Sequence, residues 1–356
     1  MEPINIRFGG YQPPTSVHNK AAEMFGNALA TRLGEAVTFS LDGNIIASGR
    51  QAVDLLRLVE RGELTLCYFS ASYLAERVPA FALLDLPFLL TNRPTAYAVL
   101  DGPLGQHLAE QLAAHTGFRL LDWWDNGFRH LSNRVRPIQR PADCQGLRLR
   151  TLMSDLHQEV FRLLGFEPVA LDVKDLLAGV KAGTIDAQEN PLTNIYNFGI
   201  HEHHRYITLS SHFFGAAVLL CHQATTMPGR LTSNTPSTLL QLRRLRPNGS
   251  SPLRKMRRSW RGSIQAKMRS SNSLRSHGPN SRNFWLRWWM PNGRDWVTIS
   301  SAICKLVPIR CNRPSSQAND DDDPIQFILS CGIGGAQLNS VCGPQPPDES
   351  DGVAPA

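Results

Sequence analysis

Residues 127–191 most constrain the fold, because short strand-like runs and helical periods alternate there in a fixed order. LRLRT (147–151) alternates leucine with arginine, the period of a strand. The helical pattern DLHQEVFRLLG follows, with Asp155 and Gln158 at capping-box spacing and Gly165 as its stop. PVALD returns as a strand and leads into a helix opened by Asp172, with Asp175 in its first turn and Gly183 at its end. TIDAQENP closes the series as another strand. Such a β-α-β-α-β order predicts an α/β fold, with a parallel sheet covered by helices.

The alternation in LRLRT sends Leu147 and Leu149 to one face and Arg148 and Arg150 to the other. Arg150 ends the strand, where open α/β sheets bind their ligands. A planar guanidinium there can grip a carboxylate through two parallel charge-assisted hydrogen bonds. On alternation alone, a plain surface ion pair to a nearby Asp or Glu remains the other reading. Asp186 and Glu189 lie three apart on a strand, face opposite ways, and so form no acid–base pair. His201 and His204 of HEHHRY could share a helical face, but no third metal ligand is clearly placed beside them. That segment reads as a loop or short helix.

Upstream, INIRF (4–8) and VTFSLD (37–42) read as strands, and NKAAEMFGNALATRL as the helix between them, opened by His18 and Asn19. RQAVDLLRLVERGE is a short helix with Gly62 at its C-terminal side. LTLCYFSASYL passes from strand into helix, PLGQHLAEQLAAHTG is helical, and FRLLDWW (118–124) is a strand. Trp123 and Trp124 then point to opposite faces, one into the core and the other free to stack on a ligand.

The motifs GFRHLSN, RPI, PADCQGLRLR, LGFEPV and AGTIDAQENP resemble, in order, the DctP-type substrate-binding proteins of tripartite ATP-independent periplasmic (TRAP) transporters. GNIIASGRQAVDLLRLVERGEL and ALLDLPFLLTNRPTAYAVLDGPLG are similar to the same family's first lobe, and the likeness covers about residues 5–230. The resemblance implies a two-lobed periplasmic-binding-protein-like α/β fold. Residues 1–126 would form lobe I and 127–208 lobe II, with 209–230 a strand returning to lobe I. It implies a receptor that binds a small organic carboxylate and delivers it to TRAP membrane subunits in the periplasm, without cofactor, metal or catalysis, as a monomer. Arg150 matches the family's main carboxylate anchor, and Arg129 and Asn190 its auxiliary ligand contacts. His18, Ser70, Ser72 and Trp124 are further pocket candidates. Val173 stands where several members carry an aromatic residue, so the ligand class stays open among C4-dicarboxylates, keto acids and sugar acids.

Composition bears on three points. The start MEPINIRFGG shows neither a basic nor an apolar leader region, whereas a TRAP receptor is expected to carry an export signal. Seven cysteines without a C-x-x-C pair support neither a disulfide framework nor a metal site, and Cys67 and Cys221 read as small core residues. The net charge of +7 is unevenly held: residues 1–230 carry 20 Lys and Arg against 22 Asp and Glu, and the remainder 17 against 8. From His203 to Arg294 there is no acidic residue, and five of seven tryptophans follow position 259. Residues 231–356 therefore read as a basic, low-acid tail, expected to be a frameshifted reading of the original gene. A genuine disordered extension is the alternative. A nucleic-acid surface is not expected, because no binding motif accompanies the arginines. Two rival functions stand beside the receptor: an α/β enzyme acting on a carboxylate, and a non-functional remnant. The first lacks a nucleophile elbow, a phosphate loop or a metal constellation in residues 1–230.

Overall fold

The computed structural model describes residues 3–223; the expectations for the tail fall outside them. Strand β1 (Ile4–Gly9) is followed by helix α1 (Val17–Leu33) and strand β2 (Val37–Asp42). Helix α1 begins at the side chain of Ser16, whose hydroxyl accepts from the Asn19 amide. His18 is therefore not the cap: it lies inside the first turn and is buried. A serine side chain is short enough to turn back on the orphan amides, which an imidazole is not. Helix α2 (Asp54–Glu60) leads through the left-handed Gly62 (φ 70°) to strand β3 (Leu66–Ser70), whose five residues are all buried. Two 3₁₀ turns, Ala71–Glu76 and Pro79–Asp85, connect it to helices α3 (Arg93–Asp101) and α4 (Pro103–His115).

Strand β4 (Phe118–Asn133) runs through the two segments read separately from the sequence as FRLLDWW and FRHLSN. Trp123 and Trp124 are both buried, because both faces of this strand are covered. Strand β5 (Arg148–Thr151), helix α5 (Asp155–Leu163), strand β6 (Glu167–Ala170), helix α6 (Val173–Ala182) and strand β7 (Ala187–Pro191) form the alternating series. Ser154 caps α5 by accepting from the His157 amide, so Asp155 is the first helical residue and not the cap. Asp172 caps α6 and Gly183 ends it in the left-handed region (φ 72°). Helix α7 (Leu192–Asn197) and a 3₁₀ turn (Ile200–Glu202) lead into strand β8 (Tyr206–His222).

These strands hydrogen-bond in the order β2-β1-β3-β8-β4-β7-β5-β6. β2, β1 and β3 are parallel to one another, as are β6, β5 and β7. The long strands β4 and β8 are antiparallel to each other and join the two parallel sets. The β4–β8 ladder shifts register between Leu120 and Asp122, between Asp125 and Gly127, and again between Arg129 and Leu131. At the Asp125–Gly127 shift Gly127 adopts φ 101° opposite Gly215, where a Cβ on Gly215 would lie 2.8 Å from the Gly127 carbonyl oxygen. Close approach of the two backbones needs glycine on both strands. Near the third shift Ser211 takes φ 48°, and its amide donates to His130 Nδ1 at 3.1 Å.

Helices bury leucine, valine and isoleucine stripes on both sides of these strands. Leu176, Val180, Ile185, Ile195 and Ile200 form one cluster beside β7, and Val173 packs against it. That contact accounts for an aliphatic residue at this position. Cys67, Cys144 and Cys221 are buried free thiols; burial pushes the last two up to about 12, which makes them inert fillers of the core.

Candidate functional site

The register of β4, β7 and β5 decides which polar side chains meet. Residue 130 pairs with Asn190 and residue 129 with Pro191, while Arg150 stands opposite Gln188. Arg129, Gln188, Glu189, Asn190 and Arg150 are each at most 4% exposed. Asn190 Nδ2 donates to Gln188 Oε1 at 2.6 Å, and Gln188 donates to Ser132 Oγ at 2.5 Å. The Asn190 Oδ1 accepts weakly from Arg129 Nη2 at 3.5 Å and from Asn194 Nδ2 at 3.4 Å.

Arg129 is held by Glu189. Its Nε and Nη2 bond the two carboxylate oxygens, the second at 2.6 Å, and Nη2 also reaches the Glu189 carbonyl at 2.9 Å. Burial alone would raise the Glu189 carboxyl, but the Arg129 charge and the His212 hydrogen bond hold it well below the usual carboxylate range. Burial likewise works against the Arg129 charge, and Glu189 more than restores it. His212 Nε2 lies 3.4 Å from Glu189 Oε2, and its Nδ1 meets Ser210 Oγ at 2.7 Å. A second buried group adjoins this one: Ser72 Oγ donates to Asp85 Oδ1 at 2.8 Å, and His157 Nε2 sits 3.2 Å from Asp85 Oδ2. The sequence reading missed Glu189 as the partner of Arg129, because strand register is invisible in composition. It separated Asp186 from Glu189 correctly, and the structure assigns each its own arginines.

Asp186 is buried beneath Arg134 and Arg148, both of which it receives. Its Oδ1 lies 2.7 Å from Arg134 Nη2 and its Oδ2 2.7 Å from Arg148 Nε. The hydrogen bond from Arg148, with Arg134 beside it, lowers the carboxyl to about 2. Because the folded state favours the ionised form, this contribution is present above the ordinary value of 3.8 and is lost as pH falls through about 2. Asp186→Asn should therefore lower stability at neutral pH, and the gap to the parent should close between about pH 4 and pH 2. Urea unfolding across that range reads it; a gap that stays constant refutes the assignment.

Arg150 differs from every arginine above. It is 1% exposed, and its Nε donates to the Leu171 carbonyl at 2.8 Å. Its Nη2 is buried without a hydrogen-bond partner. The buried Tyr73 hydroxyl is its neighbour, close enough for a weak contact with the guanidinium though short of good hydrogen-bond geometry. Burial raises the Tyr73 phenol, with Arg150 partly opposing it, so the hydroxyl stays neutral and able to donate. A buried guanidinium edge with a neutral phenol beside it and no described carboxylate against it can take an acceptor-rich anion.

His18 and Trp124 belong to an aromatic stack further along the first set of strands. His18 stacks on Tyr68 at 5.0 Å and on Trp124 at 6.1 Å, and Trp124 also faces Phe8 at 6.2 Å. Tyr11 lies 5.5 Å from Tyr68 between ring centres and extends this aromatic group. Ser70 is buried at the end of β3, and its side chain caps nothing. Ser72 is turned to Asp85. Arg129 and Asn190 thus touch, Arg150 stands on the neighbouring strand opposite Gln188, and His18 with Trp124 forms a separate group.

Residues 8–225 match the family model described as bacterial extracellular solute-binding protein, family 7, the DctP family. The chain belongs to this family. Its members include a solute-binding protein of Verminephrobacter eiseniae (strain EF01-2), 32% identical over 50% of this chain and 52% of that one. Another is the 2,3-diketo-L-gulonate-binding periplasmic protein YiaO of Escherichia coli (strain K12), 27% identical over 62% of this chain and 66% of that protein. The chain spans about half the length of the first of these relatives and two-thirds of the second. The fold is that of the sugar acid binding protein DctPAm from Advenella mimigardefordensis, solved with galactonate: TM-score 0.72, 24% identity, covering 86% of this chain and 94% of the other. DctP proteins are solute-binding receptors of TRAP transport, and those named above include a periplasmic protein. Among the described residues no helix is long and apolar enough to cross a membrane.

Proposed function

We propose that this chain is an extracytoplasmic receptor that binds a small organic carboxylate and delivers it to TRAP membrane subunits in the periplasm. In this reading residues 1–126 and 127–208 are two lobes closing on the ligand, and residues 209–230 lead back to the first. The role is binding without turnover.

One observation carries the proposal: among the described residues Arg150 is buried with no carboxylate against it, its Nη2 lacking a partner of good hydrogen-bond geometry and the Tyr73 hydroxyl its polar neighbour. An ionised group in that position is costly unless an anion completes it. Arg129 is a weaker ligand group than the family pattern suggests, since Glu189 already occupies its fork. We assign it a supporting role, fixing β4 against β7 so that Asn190 and Arg150 hold their positions. The carboxylate ligands of related receptors, 2,3-diketo-L-gulonate among them, agree with one arginine anchor.

The test is calorimetric titration of the purified full chain with dicarboxylates, keto acids and sugar acids, followed by NMR of the bound acid. At least one acid class should bind and be recovered unchanged. A ligand present at a hundred times its Kd should stabilise the fold by about 2.7 kcal/mol. Conversion of the acid would overturn the receptor reading in favour of an enzyme, and absence of binding across the panel would overturn it altogether.

A further inference from the structure

A run of buried hydrogen bonds crosses β7 and β4 and ends on a histidine that the receptor reading leaves unused. Ser132, Gln188, Asn190 and His204 are each at most 4% exposed. Gln188 stands opposite Ser132 on β4 and opposite Arg150 on β5, so these three side chains share one face of the sheet. Asn190, two residues further along β7, lies on the same face. His204 follows the 3₁₀ turn Ile200–Glu202 and precedes β8, and its Nδ1 meets Ser132 Oγ at 3.0 Å.

The ends of this run fix the direction of every donor in it. Arg129 carries donors alone, so the Asn190 atom 3.5 Å from its Nη2 is the carbonyl oxygen Oδ1. The Asn194 amide donates to the same oxygen at 3.4 Å. Asn190 Nδ2 then donates to Gln188 Oε1, and Gln188 Nε2 donates to Ser132 Oγ. The Ser132 hydroxyl thus receives one hydrogen and has one to give, and His204 Nδ1 is in place to take it. With a proton on Nδ1, Ser132 would receive from both sides and its own buried hydrogen would lose its acceptor. Burial, and after it the Arg134 charge, lowers His204 to about 4, while the Ser132 carbonyl and Asp186 oppose this. The ring is therefore neutral at neutral pH, and a proton on Nε2 leaves Nδ1 free to accept.

The polarity matters for the ligand. Asn190 Oδ1 already accepts twice, and the hydrogen left over on Asn190 Nδ2 is a donor. A carboxylate beside Arg150 only accepts, so it needs a donor there. With the amide turned over, an oxygen would stand in that place and Nδ2 would face the Arg129 guanidinium.

We propose that His204 is a positioning residue for the ligand site: through Ser132 and Gln188 it holds the Asn190 amide so that an N–H, and not an oxygen, is left for the carboxylate. The inference rests on the receptor reading and goes beyond it, giving a role to a side chain outside the Arg129, Asn190 and Arg150 group. His204 touches no ligand in this scheme; it is the terminal acceptor of a chain that starts at Arg129.

Two measurements on the full chain at neutral pH test the role. Nitrogen NMR shifts of the histidine rings, with His204 assigned by its loss in His204→Asn, should show this ring neutral and protonated on Nε2. A ring protonated on Nδ1 overturns the chain. Calorimetry with succinate, 2-ketobutyrate and gluconate reads the site itself. For the tightest of the three, His204→Leu and Ser132→Ala should each weaken binding about ten-fold, the effect of one hydrogen bond. The double variant should bind no worse than either, because both changes cut one chain. His204→Asn, whose Oδ1 offers an uncharged acceptor near the place of Nδ1, should restore most of the affinity. Thermal unfolding without acid separates a lost fold from a lost orientation, and Ser132→Ala, the smaller change, decides the matter where His204→Leu does not fold. Parent-like affinity in either folded variant, additive losses in the double variant, or an asparagine variant as weak as the leucine one overturns the positioning role and leaves the receptor reading standing. If none of the three acids binds the parent, the receptor reading fails and this role falls with it.

Discussion

Arg150→Met is expected to abolish ligand binding while leaving the ligand-free protein as stable as its parent or more so. The two effects have opposite signs for one physical reason. In the ligand-free chain the Arg150 guanidinium is 1% exposed, with one hydrogen bond to a carbonyl and an Nη2 lacking a partner of good hydrogen-bond geometry. Holding that charge away from water opposes folding, and an apolar side chain of similar volume removes the cost. With ligand bound, the same guanidinium supplies the charge-assisted pair to the carboxylate. Truncating one member of such a buried pair costs on the order of 3–5 kcal/mol, a loss of at least a hundred-fold in affinity. Arg150→Lys should recover only part of it, since an ammonium cannot form the fork and sits on a narrower point of charge. Thermal unfolding with and without the best acid from the panel separates the two effects. A methionine variant that still binds as its parent does, or that unfolds several kcal/mol more easily without ligand, would show that Arg150 is a structural residue.

Glu189→Ala should be the most damaging single substitution for stability, by about 3–5 kcal/mol out of the roughly 5–15 kcal/mol that hold a domain together. The substitution leaves Arg129, 3% exposed, without the carboxylate that takes its Nε and Nη2. It also removes the acceptor facing His212 Nε2. Replacing both members, Arg129→Met with Glu189→Leu, should recover most of the loss, because the uncompensated charge goes with the ion pair. The double-mutant cycle, read from urea midpoints, gives the coupling between them. Near-additive losses would mean that the pair contributes packing alone. Because Arg129 holds the Glu189 carboxyl far below its ordinary value, this coupling is present at neutral pH and fades under acid conditions that protonate the carboxylate.

Much of the fold was legible because it rests on local signals. The alternation of LRLRT, the Asp172 cap and the left-handed Gly183 each act within a few residues, and each appears where the pattern puts it. Caps of α1 and α5 were misplaced by one or two residues, since Ser16 and Ser154 precede acceptable alternatives in the text and only backbone geometry decides among them. The continuity of β4 was hidden because its glycine at 127 reads as a break, whereas the ladder absorbs it as a bulge. The polar layer is the least legible part. Glu189 meets Arg129 across sixty residues through the pairing of β4 with β7, and Gln188 gave no signal at all. Such contacts follow from register, which a single sequence expresses only weakly.

Strand β8 carries a consequence for how the chain comes into being. Residues 217–221 pair with β3, made about 150 positions earlier, and the whole of β8, those residues included, lines β4 from end to end. A ribosome that has finished β3 and β4 has produced two strands whose shared neighbour does not yet exist. The N-terminal half therefore cannot close its sheet during most of its own synthesis, and the last of the described strands to emerge is the one that zips both halves shut. Loop closure over such separations is slow. Closure of this sheet waits for β8, with open strand edges exposed until residue 222 is available.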